Sequence, residues 1–202
     1  MLKRRSFLQY GVGAAAVAGF AITGSVPAFA APNPIDQWVD AQVKSGTLPT
    51  TYSSISAYPM DYRRAIFGAL PAEKQSAVWA AHLDLRLADS KLNSDQRALI
   101  GEVRAVLADP ATYVSGTNAL DDIKQKAVGL FGEVEASNVF ATLGTPQEEP
   151  NVNPSSGERG CTCANTSDWC NNSTHCFKVS NCTRHKGCGL GWLYVCNGFC
   201  RN

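Results

Sequence analysis

The chain predicts an all-α domain followed by a small disulfide-stapled domain with a short C-terminal β-hairpin. Three observations carry this. Residues 34–144 place apolar side chains at helical spacing and contain no cysteine. All eight cysteines fall within residues 161–202. Between them runs GTPQEEPNVNPSSGERG, residues 144–160, with three prolines and three glycines. The boundaries follow: a leader at 1–30, a helical domain at 31–145, a linker at 146–160 and a cysteine-rich domain at 161–202.

The leader opens on Lys3, Arg4 and Arg5 and continues with an apolar stretch from Gly11 to Thr23. That stretch is too short to span a bilayer. Ala28-Phe29-Ala30 ends it, placing cleavage between Ala30 and Ala31. Arg4 and Arg5 with Phe7 and Leu8 resemble a twin-arginine export signal, and the Ala/Gly-rich centre fits that route. The resemblance implies the twin-arginine export machinery as a partner, which carries folded cargo. An ordinary secretory signal is the other reading. Either one makes the remainder a secreted chain, periplasmic in transit.

In the helical domain, Pro71 can open a helix on which Trp79, Leu83 and Leu87 recur at four-residue steps, with Val78 and Leu85 beside them. Asn93 or Ser94 can cap the next, whose stripe is Leu99, Ile100, Val103, Val106 and Leu107. Asp109-Pro110 ends it. Asn118 can cap a third long helix with Ile123, Val128, Phe131, Val134, Phe140 and Leu143 turned inward, stopped by Gly144 and Pro146. Shorter helices near residues 35–43 and 60–70 make four or five in all.

Arg63-Arg64 and Asp121-Asp122 read as solvated charge, and His82, alone on its helix, as a packing or surface residue. No nucleophile elbow, phosphate loop or metal-spaced pair occurs in this domain. The expectation is a non-catalytic chain without a cofactor or a nucleic-acid partner. Charge is split: residues 1–30 carry +3, residues 31–160 carry eleven basic and sixteen acidic side chains, and residues 161–202 carry four basic ones against Asp168.

Cysteine makes up 19% of the last 42 residues: Cys161, Cys163, Cys170, Cys176, Cys182, Cys188, Cys196 and Cys200. A segment near ~40 residues buries too little apolar surface to fold unaided. Four disulfides, each typically worth about 2–4 kcal/mol, offset this. Asn197-Gly198 is a strong hairpin signal. It predicts strands at 192–196 and 199–202, with Cys196 facing Phe199 and Cys200 facing Val195. Cys196 and Cys200 then point to opposite faces and do not bond to each other, and Cys161 and Cys163 are too close for an easy bridge. Pairing is otherwise open among on the order of a hundred arrangements.

Metal is the rival use of this sulfur, through Cys161-x-Cys163, His175-Cys176 and His185-x-x-Cys188, but paired zinc knuckles are missing. A second rival is thioether crosslinking to Thr162, Thr166, Ser173, Thr174 or Thr183. The exposed linker invites proteolysis, and Arg159-Gly160 before the first cysteine is a plausible cut for a processing protease.

CTCANTSDWC, the even cysteine run after it and GCGLGWLYVCNG resemble the fulvocin C family of disulfide-rich myxobacterial bacteriocins. The shared frame is Cys-x-Cys, Ser167 to Cys170, Gly187 to Trp192 and Cys196 to Gly198. Tyr62 to Leu83 resembles the upstream region of larger fulvocin C-related proteins. The resemblance implies a secreted antibacterial peptide held as a precursor, with the helical domain as pro-domain. Its partner is then the target cell envelope or an unidentified receptor. Contact falls to Trp169, Phe177, Lys178, Arg184, Lys186, Trp192 and Tyr194, with Phe199 beside them, because basic charge and interfacial aromatics suit an anionic surface. The other reading of these aromatics is a small satellite core, and at least Trp192 is expected to be structural. The acidic helical domain would mask the basic tail by charge. The alternative is a secreted disulfide-rich binding or inhibitory module on a helical domain.

Overall fold

The computed structural model describes residues 33–147, 160–171 and 174–201, which belong to one unit, Ala31–Asn202. Arg4, Arg5, Phe7, Leu8, Ala30, Ala31 and Arg159 lie outside the described residues.

Capping chemistry sets the helices. The side chain of Asn33 accepts from the Ile35 amide to start α1 (Pro34–Ser45), and Gly46, with φ at 70°, ends it. Thr51 and Ser54 form a reciprocal capping box on α2 (Tyr52–Ser56). α3 (Met60–Ala69) and α4 (Ala72–Leu87) follow, Pro71 standing just outside α4. Asn93, one of the two expected cap residues, caps α5 (Ser94–Leu107), and Gln96 completes the box by accepting from the Asn93 amide. α6 (Ala111–Ser115), α7 (Ile123–Phe131) and α8 (Glu133–Phe140) complete eight helices among the described residues.

Several expectations need correction, beginning with the helix number, which exceeds the four or five expected. The single helix after Asn118 is two helices, because Gly132 takes φ 76° between α7 and α8. Asn118 closes a turn onto Asp121 instead of capping, and Val134 faces solvent, 49% exposed. Arg63 and Arg64 are not solvated: they are 3% and 8% exposed. The Arg63 guanidinium donates from Nε to the Tyr58 carbonyl at 2.6 Å, and from Nη1 to those of Leu143 and Thr145 at 3.0 and 2.7 Å. It thereby ties the end of the helical chain to α3. Burial lowers its pKa.

The cysteine-rich segment holds β1 (His175–Lys178), β2 (His185–Cys188), β3 (Tyr194–Cys196) and β4 (Gly198–Arg201). They pair as two antiparallel ribbons, β1 with β4 and β2 with β3. The C-terminal hairpin is therefore β2–β3, joined through a 3-10 turn at Leu190–Trp192. Asn197-Gly198 does not close it. It carries the chain from one ribbon to the other, so Cys196 lies opposite His185 and Cys200 opposite Cys176. The glycine serves close approach here: a Cβ on Gly198 would sit 2.1 Å from the Phe177 carbonyl oxygen. Its own carbonyl accepts from the amides of Thr162 and Cys163.

The disulfides are Cys161–Cys182, Cys163–Cys176, Cys170–Cys200 and Cys188–Cys196. Neither Cys196–Cys200 nor Cys161–Cys163 is among them, as expected, although the Asn197-Gly198 hairpin on which the first exclusion rests does not form. The sulfurs of Cys163, Cys170 and Cys176 lie within 4.8 Å of one another, but each is spent in a disulfide and offers no thiolate to an ion.

Candidate functional site: the tryptophan seam and the outer ribbon

The cystine module has a small core of its own: Cys161, Ala164, Cys188 and Cys196, with Cys182 and Tyr194 against them. Its larger apolar side chains go elsewhere. Trp169, Leu190 and Trp192 belong to the core of the helical domain. Trp192, 2% exposed, presents its ring edge-on to Phe67 of α3 at 5.4 Å and to Trp79 of α4 at 6.0 Å. Its indole Nε1 donates to the Ala141 carbonyl just beyond α8 at 2.8 Å. A buried indole needs such an acceptor. Trp169 packs on Phe140 at 6.2 Å, and its carbonyl accepts from the Ser137 hydroxyl at 3.1 Å.

The local backbone makes this approach possible. Trp192 has φ 56° and is the one non-glycine residue with positive φ among the described residues. That conformation costs about 1–2 kcal/mol for an L residue, so its surroundings must impose it. Gly191, φ 59°, rests on α5: a Cβ there would lie 2.6 Å from Leu107 Cδ2. Gly187 of β2 lies against Arg64, where a Cβ would come within 3.0 Å, so this glycine lets strand and helix close up; Gly68 of α3 faces Lys186 at ordinary contact distance. His185 stands under Gly160, with Nδ1 2.8 Å from the Lys186 carbonyl, and burial lowers its pKa. Gly160 is bridged to Thr183, whose carbonyl also accepts from the Cys161 amide.

The β1–β4 ribbon is the outward surface. Phe177, 47% exposed, lies opposite Phe199, which is half-buried. His175 and Arg201 pair two positions away on the same face. Lys178, Arg184 and Lys186 are exposed on the module. His175 also approaches Asp168 at 3.3 Å, and Asp168 accepts from the Cys170 amide at 2.9 Å.

Of the residues expected to meet a target, the structure thus divides the set. Phe177, Lys178, Arg184 and Lys186 face solvent, and Tyr194 is half-buried. Trp169 and Trp192 are withdrawn into the helical core, because a large aromatic next to an apolar socket is buried before it is displayed. Arg201 joins the surface set through its pairing with His175, which needs the β1–β4 register to be seen. The socket residues Phe67, Leu107 and Ala141 carry no sequence signal beyond ordinary core periodicity.

No protein family, curated protein or solved structure matches this chain. The four disulfides fit an oxidising compartment. Among the described residues, no helix is long and apolar enough to cross a membrane. The stapled C-terminal part is consistent with a small secreted binding or inhibitory module.

Proposed function

We propose that the chain is the secreted precursor of a basic, disulfide-stapled antibacterial peptide acting at the envelope of a target cell. The helical domain holds that peptide latent. One observation carries the reading: Trp192, an aromatic suited to an interface, is sealed in a socket of the helical domain. Apolar burial is a masking device that acts beside the charge complementarity expected from composition. The surface left outside, Phe177 with Lys178, Arg184 and Arg201, has the aromatic and basic character that anionic headgroups attract.

Processing belongs upstream of Gly160. A protease reads an extended segment on both sides of its bond, and Gly160 is already bridged to Thr183. The test is intact mass of the secreted product, before and after reduction and alkylation, followed by killing assays. A species near the size of residues 161–202, eight hydrogens light, that kills indicator bacteria supports the precursor. An uncut chain from Ala31 that binds a protein target and never kills sinks it. The second reading is a two-part secreted binding protein, non-catalytic and used uncut. The core shared by helices and module favours it, since such a chain has no need to separate.

A further inference from the structure

We propose that the helical domain is a binding site for its own cystine module: the seam around Trp192 keeps the two parts together as a two-chain complex after the connecting chain is cut. The inference rests on the precursor reading and adds that proteolysis alone does not free the peptide.

The covalent and the noncovalent connections are separate. All four disulfides close within residues 161–200, so none crosses the seam. Backbone continuity through residues 148–159 is the one covalent tie. The contacts across the seam do not depend on it. α3 supplies Phe67, Gly68 and Arg64; α4 supplies Trp79; α5 supplies Leu107; α8 supplies Ser137, with Ala141 just after it. These grip the module at β2, at the 3-10 turn and at Trp169. The turn is held in a conformation that Trp192 does not favour by itself, so the docked geometry is imposed by the socket.

Separation has a cost on both sides. It would bring Trp169, Leu190 and Trp192 into water together, on a module whose remaining core is four small residues. It would also open the helical core at Phe67 and Trp79, which are fully buried now. Two hydrogen bonds, Trp192 Nε1 to Ala141 and Ser137 to the Trp169 carbonyl, would be lost. A buried tryptophan surrounded by excluded water is the kind of anchor that dominates an interface.

The test uses the chain from Ala31 with a specific protease site placed within residues 150–156. It is cut to completion with disulfides intact, then examined by size exclusion and native mass spectrometry at low micromolar concentration. Both pieces are expected in one 1:1 species. Trp192→Ala is expected to weaken the complex at least about a hundredfold. Gly68→Tyr attacks the seam from the other side, through the position that faces Lys186, and leaves the module's sequence untouched. It is expected to weaken the complex at least about tenfold, and it serves if Trp192→Ala does not fold. Separate elution of the two wild-type pieces, each folded, overturns the proposal. So does retention unchanged by the Gly68 variant. The two readings fail differently: a retained complex whose module, once isolated with its disulfides intact, never kills removes the antibacterial function alone, whereas separated pieces whose module kills remove this inference alone.

Discussion

The indole of Trp192 meets the indole of Trp79 edge-on, 6.0 Å apart with planes 77° to one another, and joins the disulfide-stapled part of the chain to its helical part. Edge-to-face pairing of this kind adds about 0.5–1.5 kcal/mol to the apolar burial itself. Replacing Trp192 by alanine should therefore lower the stability of the 31–202 chain by about 3–5 kcal/mol. Phe177→Ala on the outer ribbon should change it by less than about 1 kcal/mol. Urea unfolding followed by tryptophan fluorescence compares the two. Equal effects would mean that Trp192 is not an anchor.

Two of the glycines that permit close approach, Gly191 and Gly198, should respond differently. Gly191→Ala places a methyl against the Leu107 side chain at a positive φ, and should cost about 1–3 kcal/mol. Gly198→Ala meets backbone at 2.1 Å, where nothing flexible can yield. We expect that variant to lose the β1–β4 ribbon and to form mixed disulfides at Cys163, Cys170, Cys176 and Cys200. Peptide mapping of the oxidised product reads this directly; native pairing in Gly198→Ala would refute the close-approach argument.

His82 makes stability depend on pH. It is fully buried, with Nε2 3.0 Å from the Val139 carbonyl, so the neutral ring carries its proton on Nε2. Nδ1 has no hydrogen-bond partner among the described residues. The rings of Tyr52 and Trp79 pack on it, and Arg86 is the nearby charge. Burial, reinforced by the Arg86 charge, pushes its pKa down to about 4. The unfolded histidine titrates near 6.5, so protons bind the unfolded chain first as pH falls. Stability is complete above about pH 6.5 and is lost on the way to pH 4, by up to about 3 kcal/mol. Unfolding free energies at pH 7, 5.5 and 4.5 should show the slope, and His82→Gln should remove most of it.

The disulfides should open in order of access. Cys200 is exposed and Cys170 half-buried, whereas Cys188 and Cys196 are buried under the β2–β3 hairpin. Thiol exchange needs a path to sulfur. Brief treatment with a mild reductant should label Cys170 and Cys200 before Cys188 and Cys196. First labelling at Cys188 would place the hairpin at the surface and contradict the seam.

A smaller effect is expected between α4 and α5. Arg104 grips both carboxylate oxygens of Asp84, and those hydrogen bonds hold the Asp84 pKa below the usual carboxylate range. The pair is exposed and screened, so Asp84→Asn should cost no more than about 1 kcal/mol. A double-mutant cycle with Arg104→Ala would measure it; a coupling well above that would mean the pair is shielded from solvent.

Local chemistry in the sequence determined a good deal. The Asn93–Gln96 box, the glycine stop after α1 and the helical periodicity depend on neighbours three or four residues apart, and those signals survive without tertiary context. The cysteine content likewise required a stapled C-terminal part, because so short a segment lacks an adequate core. Tertiary structure alone decided the rest. Asn197-Gly198 reads as a turn locally, yet the chain uses its glycine to pass between strands that are distant in sequence. Arg63 looks like surface charge until the carbonyls of Leu143 and Thr145, some eighty residues on, are folded against it. Trp192 could be either an exposed contact or a core residue. Its place depended on whether an apolar socket of matching shape lay within reach, and that is a property of α3, α4, α5 and α8 packed together, which no single stretch of the chain contains.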